Sequence, residues 1–128
     1  KTIRTHLILE EPLSDNFDKA KSQIYTAIRE CRLFISNYRW GDAESFRMFI
    51  KSKGKTAEIG GEIECGEDAV LFVELPDYSD VNVIRNGRCY SRFRGNAGEI
   101  PLSSSGIYRV EATKENKGWI YTNHVRLT

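Results

Sequence analysis

The stretch from Gly106 to Ala112 constrains the fold more than any other. Ile107, Arg109 and Glu111 alternate with Tyr108, Val110 and Ala112, and a period of two places the two sets on opposite faces of a half-buried strand. Tyr108 follows a glycine turn and stands two residues before the core position Val110. This is the pattern of a tyrosine corner, in which the phenol folds back onto backbone a few residues upstream in an immunoglobulin-like sandwich. The position two residues on is Val110 rather than Cys, so the corner implies no disulfide.

The segments around it read as β from residue 41 onward. Phe46, Met48 and Ile50 alternate with Arg47, Phe49 and Lys51, and Lys53-Gly54-Lys55 turns the chain. Gly60-Gly61 suits a bend or bulge. Ala69 to Leu75 is near-continuously apolar, as expected of a central strand covered on both faces, and Pro76 is expected to end it. Val81 to Arg85 meets Asn86-Gly87, the strongest short hairpin signal, and Arg88 to Arg94 returns. A short strand near Glu99 to Ser103 precedes the organising strand. Lys114 to Gly118 is a polar turn, and Trp119 opens a last strand running to Leu127. The count is about seven strands with turns every roughly 8–12 residues, the spacing of a β-sandwich. Runs 69–75 and 107–113 are expected to face each other across its core.

Residues 1–40 differ. Residues 2–9 alternate Ile3, Thr5, Leu7 and Leu9 with Arg4, His6 and Ile8, a strand stopped at Pro12; His6 is expected on its polar face. Asp15 or Asn16 can cap a helix, and Asp18 suits its first turn. Phe17, Ala20, Ile24, Ala27, Ile28 and Cys31 recur at three and four, an apolar stripe made for packing on a sheet. A short apolar run, Leu33-Phe34-Ile35, leads to an irregular stretch, Ser36 to Ala43, holding Tyr38 and Trp40. Loop aromatics of this kind cap a core or grip a ligand. The expected architecture is therefore mainly β: a strand and one amphipathic helix over 1–40, then an immunoglobulin-like sandwich over 41–128.

Charge is balanced, 19 basic against 18 acidic residues for a net +1, so a charged partner must be sought locally. Three widely spaced cysteines (Cys31, Cys65, Cys89) without CxxC read as reduced thiols, with the cytoplasm as the expected compartment. No apolar run reaches the ~18 residues of a membrane span, so no membrane partner is expected. Two histidines, His6 and His124, lie at opposite ends of the chain, and HxH, HExxH, GxSxG and glycine-rich phosphate loops are absent. Carboxylates at Glu58, Glu62, Glu64, Glu67 and Asp68 read as a solvated face. These observations nominate no catalytic residue and no metal ligand.

One local feature stands out. Arg85, Arg88, Arg92 and Arg94 occur in a stretch without acids, interleaved with Tyr90 and Phe93. Arginine recognises phosphate and carboxylate bidentately and aromatics stack rings. Simple alternation puts Arg88, Tyr90, Arg92 and Arg94 on one face and Cys89, Ser91 and Phe93 on the other. A charged edge also protects a sheet from aggregation, the reading favoured over nucleic-acid recognition.

The order of the motifs carries a resemblance. Thr2-Ile3-Arg4-Thr5-His6-Leu7, Glu10-Glu11-Pro12-Leu13, Ala27-Ile28-Arg29, Arg32-Leu33-Phe34-Ile35-Ser36, Gly41-Asp42-Ala43 with Phe46, Ile84-Arg85-Asn86-Gly87, Gly106 to Glu111, and Trp119-Ile120 with Asn123 together resemble the C-terminal part of bacterial PHP-domain (polymerase and histidinol phosphatase) metal-dependent phosphoesterases. The resemblance covers nearly the whole chain. It departs at Cys31, where a Gly usually ends the helix, and at His124, where Pro usually follows Asn123. It implies a non-catalytic domain following a β/α barrel whose divalent metals are held by upstream His, Asp and Glu, so no cofactor is expected in this chain. Such a domain would stabilise the barrel or shape its entrance, with the upstream barrel or a second copy as partner. The other reading is a β-sandwich module binding an anionic or sugar ligand through Arg88, Tyr90, Arg92 and Arg94, or through Tyr38 and Trp40.

Overall fold

The computed structural model describes residues 3–128; Thr2, the expected start of the first strand, lies outside them. The described chain forms β1 (Ile3–Leu7), α1 (Phe17–Arg29), β2 (Leu33–Asn37), a 3-10 turn (Tyr38–Trp40), β3 (Arg47–Ser52), β4 (Lys55–Glu58), β5 (Glu62–Ile63), β6 (Val70–Arg85), β7 (Arg88–Pro101), β8 (Gly106–Lys114), β9 (Lys117–Thr122) and β10 (Val125–Leu127). It is a mainly β protein: a curled, largely antiparallel sheet with one helix. The pairing order is β1-β2-β9-β8-β6-β3-β4, with β7 on β6, and β10 on β8 and β5.

Three tight turns set the hairpins. Lys53 and Gly54 (φ 53° and 74°), Asn86 and Gly87 (50° and 82°), and Glu115 and Asn116 (49° and 66°) all take positive φ at both central residues. That geometry matches the twist of the strands it joins. The first two turns stand where their glycines predict them; the third lies in the polar turn and has no glycine at its centre.

Pro76 does not end its strand. β6 runs through it as one strand of 16 residues. Its Val70–Glu74 half pairs with β3, its Asp80–Arg85 half with β8, and β7 follows both halves with a register shift between Glu74 and Ser79. Pro76 falls in the gap where no ladder needs its missing N–H, a position proline tolerates. The run 69–75 and the strand 107–113 accordingly belong to one sheet, linked through β6. Nor is the first half of β6 layered over on both faces: Leu71, Val73 and Leu75 are buried, while Phe72 is half-buried. Phe72 stacks on Phe49 at 5.1 Å, with the Lys51 ammonium 5.5 Å from its ring.

The core is continuous, with Trp119, Tyr108, Met48, Ile50, Leu71, Val83 and Val110 fully enclosed. Tyr108 Oη donates to the Ser104 carbonyl at 2.6 Å, four residues upstream, as the corner predicts.

Asn16 caps α1, its Oδ1 accepting from Lys19 N at 3.0 Å. The helix ends with Cys31 N donating to Ile28 O (3.1 Å) and Arg32 N to Ala27 O (2.9 Å), the Schellman pattern. Cys31 holds its left-handed position at φ 59°. The stripe packs less than expected: Ala27 is buried, but Phe17 is 77% and Ile28 49% exposed. The end of the helix is held down where Gly60 (φ +88°) approaches so closely that a Cβ there would lie 2.5 Å from Glu30 O.

Candidate functional site

The arginine hairpin is built differently from its simple alternation. Val83 opposes Ser91 and Ile84 opposes Cys89, so Tyr90 is an inserted residue. A bulge reverses the side-chain parity on one side of it. Arg92 and Arg94 therefore share a face with Asn82, Asp80 and Cys89, whereas Arg88 pairs with Arg85 and falls on the other face with Ser91 and Phe93. The expected single row of Arg88, Tyr90, Arg92 and Arg94 is not formed. Tyr90 turns inward, its ring edge-on to Tyr108 at 5.5 Å and its hydroxyl bonded to Pro101 O and Ser103 N. Phe93 lies across Gly98, where a Cβ would meet its ring at 2.6 Å. Neither aromatic is free to stack a ligand.

Arg92 and Arg94 instead border a groove. Two adjoining concavities, about 440 and 510 Å³, share Asp80, Arg94 and Thr113; Tyr78 and Lys114 line one, and Asn82, Arg92 and Asn116 the other. Arg94 Nε donates to Asp80 Oδ1 at 2.6 Å, a bond that holds the guanidinium still more firmly protonated. Lys114 Nζ donates to Asp77 Oδ2 at 2.6 Å; that bond, and one from Tyr78 N, hold the Asp77 carboxyl below its ordinary range. Tyr78 is 61% exposed.

The other nominated pair separates into two roles. Trp40 packs on the core, and its carbonyl accepts from Lys114 Nζ at 2.8 Å. The same ammonium sits 4.2 Å from the Trp119 ring, whose Nε1 donates to Gly41 O at 2.9 Å. Trp40 is thus a cap on the sheet. Tyr38 is exposed, with the Arg4 guanidinium 3.8 Å above its ring.

His6 does not lie on a solvated face. It opposes Phe34, stacks on that ring at 4.4 Å, and its Nε2 lies 2.8 Å from the buried Ser36 Oγ. Burial lowers its pKa, with Arg4 adding to the effect and Asp42 and Glu44 opposing it. His6 borders a cleft of about 430 Å³ with Phe34, Glu44, Phe46, Arg47, Met48 and Glu58. The β1 alternation is inverted from expectation because Ile8 and His6 face the core while Ile3 stays 56% exposed. No three His, Cys, Asp or Glu side chains converge as a metal site among the described residues.

One apolar surface went unread in the sequence. By register, Ile3, Ile35 and Tyr121 share the outer face of β1-β2-β9, each exposed by 38% or more. Leu13, Phe17, Tyr25 and Ile28 add the outer side of the helix segment. Its signal was available: a helix stripe in a chain with one helix must find a cover somewhere. No family model, curated protein or solved structure matches this chain.

Proposed function

We propose that this chain is the non-catalytic accessory domain of a PHP-type metal-dependent phosphoesterase, docked through residues 1–40 on the catalytic barrel that holds the metals. The observation carrying this reading is where the apolar surface lies. Of nine exposed large hydrophobic side chains among the described residues, seven (Ile3, Leu13, Phe17, Tyr25, Ile28, Ile35 and Tyr38) fall before residue 41. A concentration of exposed apolar side chains in one segment supports reading that segment as a contact face. The motif order resembles the family over the same segment, which in that family closes the barrel. The Tyr108–Ser104 bond supports reading the curled sheet as an immunoglobulin-like sandwich.

The test is the full reading frame and its product. An upstream segment with HxH near its start is expected, together with divalent-metal-dependent phosphoesterase activity. In that product Phe17→Ser with Ile28→Ser lowers the melting temperature of the barrel, while the same pair leaves the isolated chain's melting temperature unchanged. A frame without the metal motifs, or a barrel indifferent to both substitutions, overturns the reading.

A further inference from the structure

The groove along the second half of β6, bordered by β7 and by the end of β8 with its turn, has a chemistry of its own, and we infer that it binds a neutral oligosaccharide. Its charges cancel. Arg92, Arg94 and Lys114 are matched by Asp77, Asp80 and Glu115 around the two concavities, and two of the cations are already bonded to carboxylates at 2.6 Å. A polyanion gains its affinity by releasing counterions to unmatched cations. Here Arg92 is the single cation of the three without a carboxylate partner among the described residues, too few to follow a phosphate or sulfate chain.

What the groove offers in quantity is neutral hydrogen bonding. Asn82 stands beside Arg92 and Thr113 beside Asp80 in the β6–β7 and β6–β8 registers, and Asn116 closes the far end. An amide presents both donor and acceptor, as vicinal sugar hydroxyls do. The Asp80–Arg94 pair does the same with a carboxylate oxygen beside guanidinium N–H groups. Tyr78, 61% exposed at the lip, supplies a flat apolar face for the C–H side of a pyranose ring, with its hydroxyl left in water. The two concavities, about 440 and 510 Å³, fall in the size range of ligand sites. The inference stands apart from the docking face, which involves other residues.

The experiment titrates the isotopically labelled chain with cellohexaose, chitohexaose, maltohexaose and, as the anionic probe, a heparin hexasaccharide. One neutral hexaose is expected to bind saturably, moving amide resonances of residues 78–82, 92–94 and 113–116 and no other set. Tyr78→Ala and Asn82→Ala each weaken it roughly tenfold, Tyr78→Phe retains it, and a salt series leaves it unchanged. Binding of heparin alone, falling steeply with salt, overturns the inference in favour of a polyanion. Absence of binding by all three neutral hexaoses also overturns it.

Discussion

Tyr108 has no exposed surface and one polar atom, and that atom is bonded to the Ser104 carbonyl. Burial pushes the phenol above its ordinary pKa, so it stays a donor across the working range. Tyr108→Phe strands the carbonyl and is expected to cost about 1–3 kcal/mol in urea unfolding; a neutral substitution would remove the corner as a source of stability. Cys31 carries the opposite sign. It occupies a left-handed position at φ 59°, where a Cβ costs roughly 1–2 kcal/mol. Cys31→Gly should therefore raise stability by about 1 kcal/mol even after glycine's greater freedom in the unfolded chain, whereas Cys31→Ala, which keeps the Cβ, should not. His6 links residue chemistry to pH. Its folded pKa lies below the ordinary histidine value of 6.5, so the unfolded chain binds its proton more readily. Its contribution is whole above pH 6.5 and is lost as pH falls from there through the folded value. Unfolding free energy measured in steps from neutral pH to about pH 5 should decline in the wild type and decline less in His6→Gln; parallel curves would assign the loss to other groups.

At the scale of elements, glycines with similar dihedrals do unlike things. Gly54 and Gly60 both have positive φ, 74° and 88°, but a Cβ at Gly54 meets nothing within 4 Å while one at Gly60 meets backbone of Glu30 and Arg32. Gly54→Ala is expected to cost about 1 kcal/mol, for the backbone alone. Gly60→Ala should cost more than about 2 kcal/mol, because it also lifts the end of α1 from the sheet; far-UV circular dichroism at 222 nm should show helix lost only in the second variant. Local signals of this sort were what the sequence displayed well. Asn86-Gly87, Lys53-Gly54 and the Asn16 cap are each decided by their own φ or their own side chain. The bulge at Tyr90 was illegible because an inserted residue leaves no compositional trace, and without it Arg88 is assigned to the wrong face. Pro76 misled for a related reason. Proline forbids a hydrogen bond, and only the exchange of β3 for β8 along β6 shows that none was required there.

The whole molecule explains the remaining gap between reading and structure. Period-two alternation in β1 separates two faces but carries no label for inside, and the outer one keeps Ile3 and Ile35 exposed. The groove combines Tyr78 and Asp80 with Asn116 from a distant turn, which no local pattern joins. The same non-local wiring has a consequence in time. The β6–β7 hairpin, like the two shorter ones, is closed by its own turn and needs no other element to begin, and its ladder is the longest of the three. β3 and β8 have hairpin partners of their own in β4 and β9, but the two hairpins are joined into one sheet only once β6 exists. The first segment is differently placed: β1 pairs with β2, and β2 reaches the sheet through β9, near the opposite terminus. Pulse-labelled hydrogen exchange during refolding should protect the amides of 80–94 first and those of 3–7 and 33–37 last. On a ribosome, β1 and β2 could pair with each other at once, but that pair would have no sheet to join until β9 had also emerged.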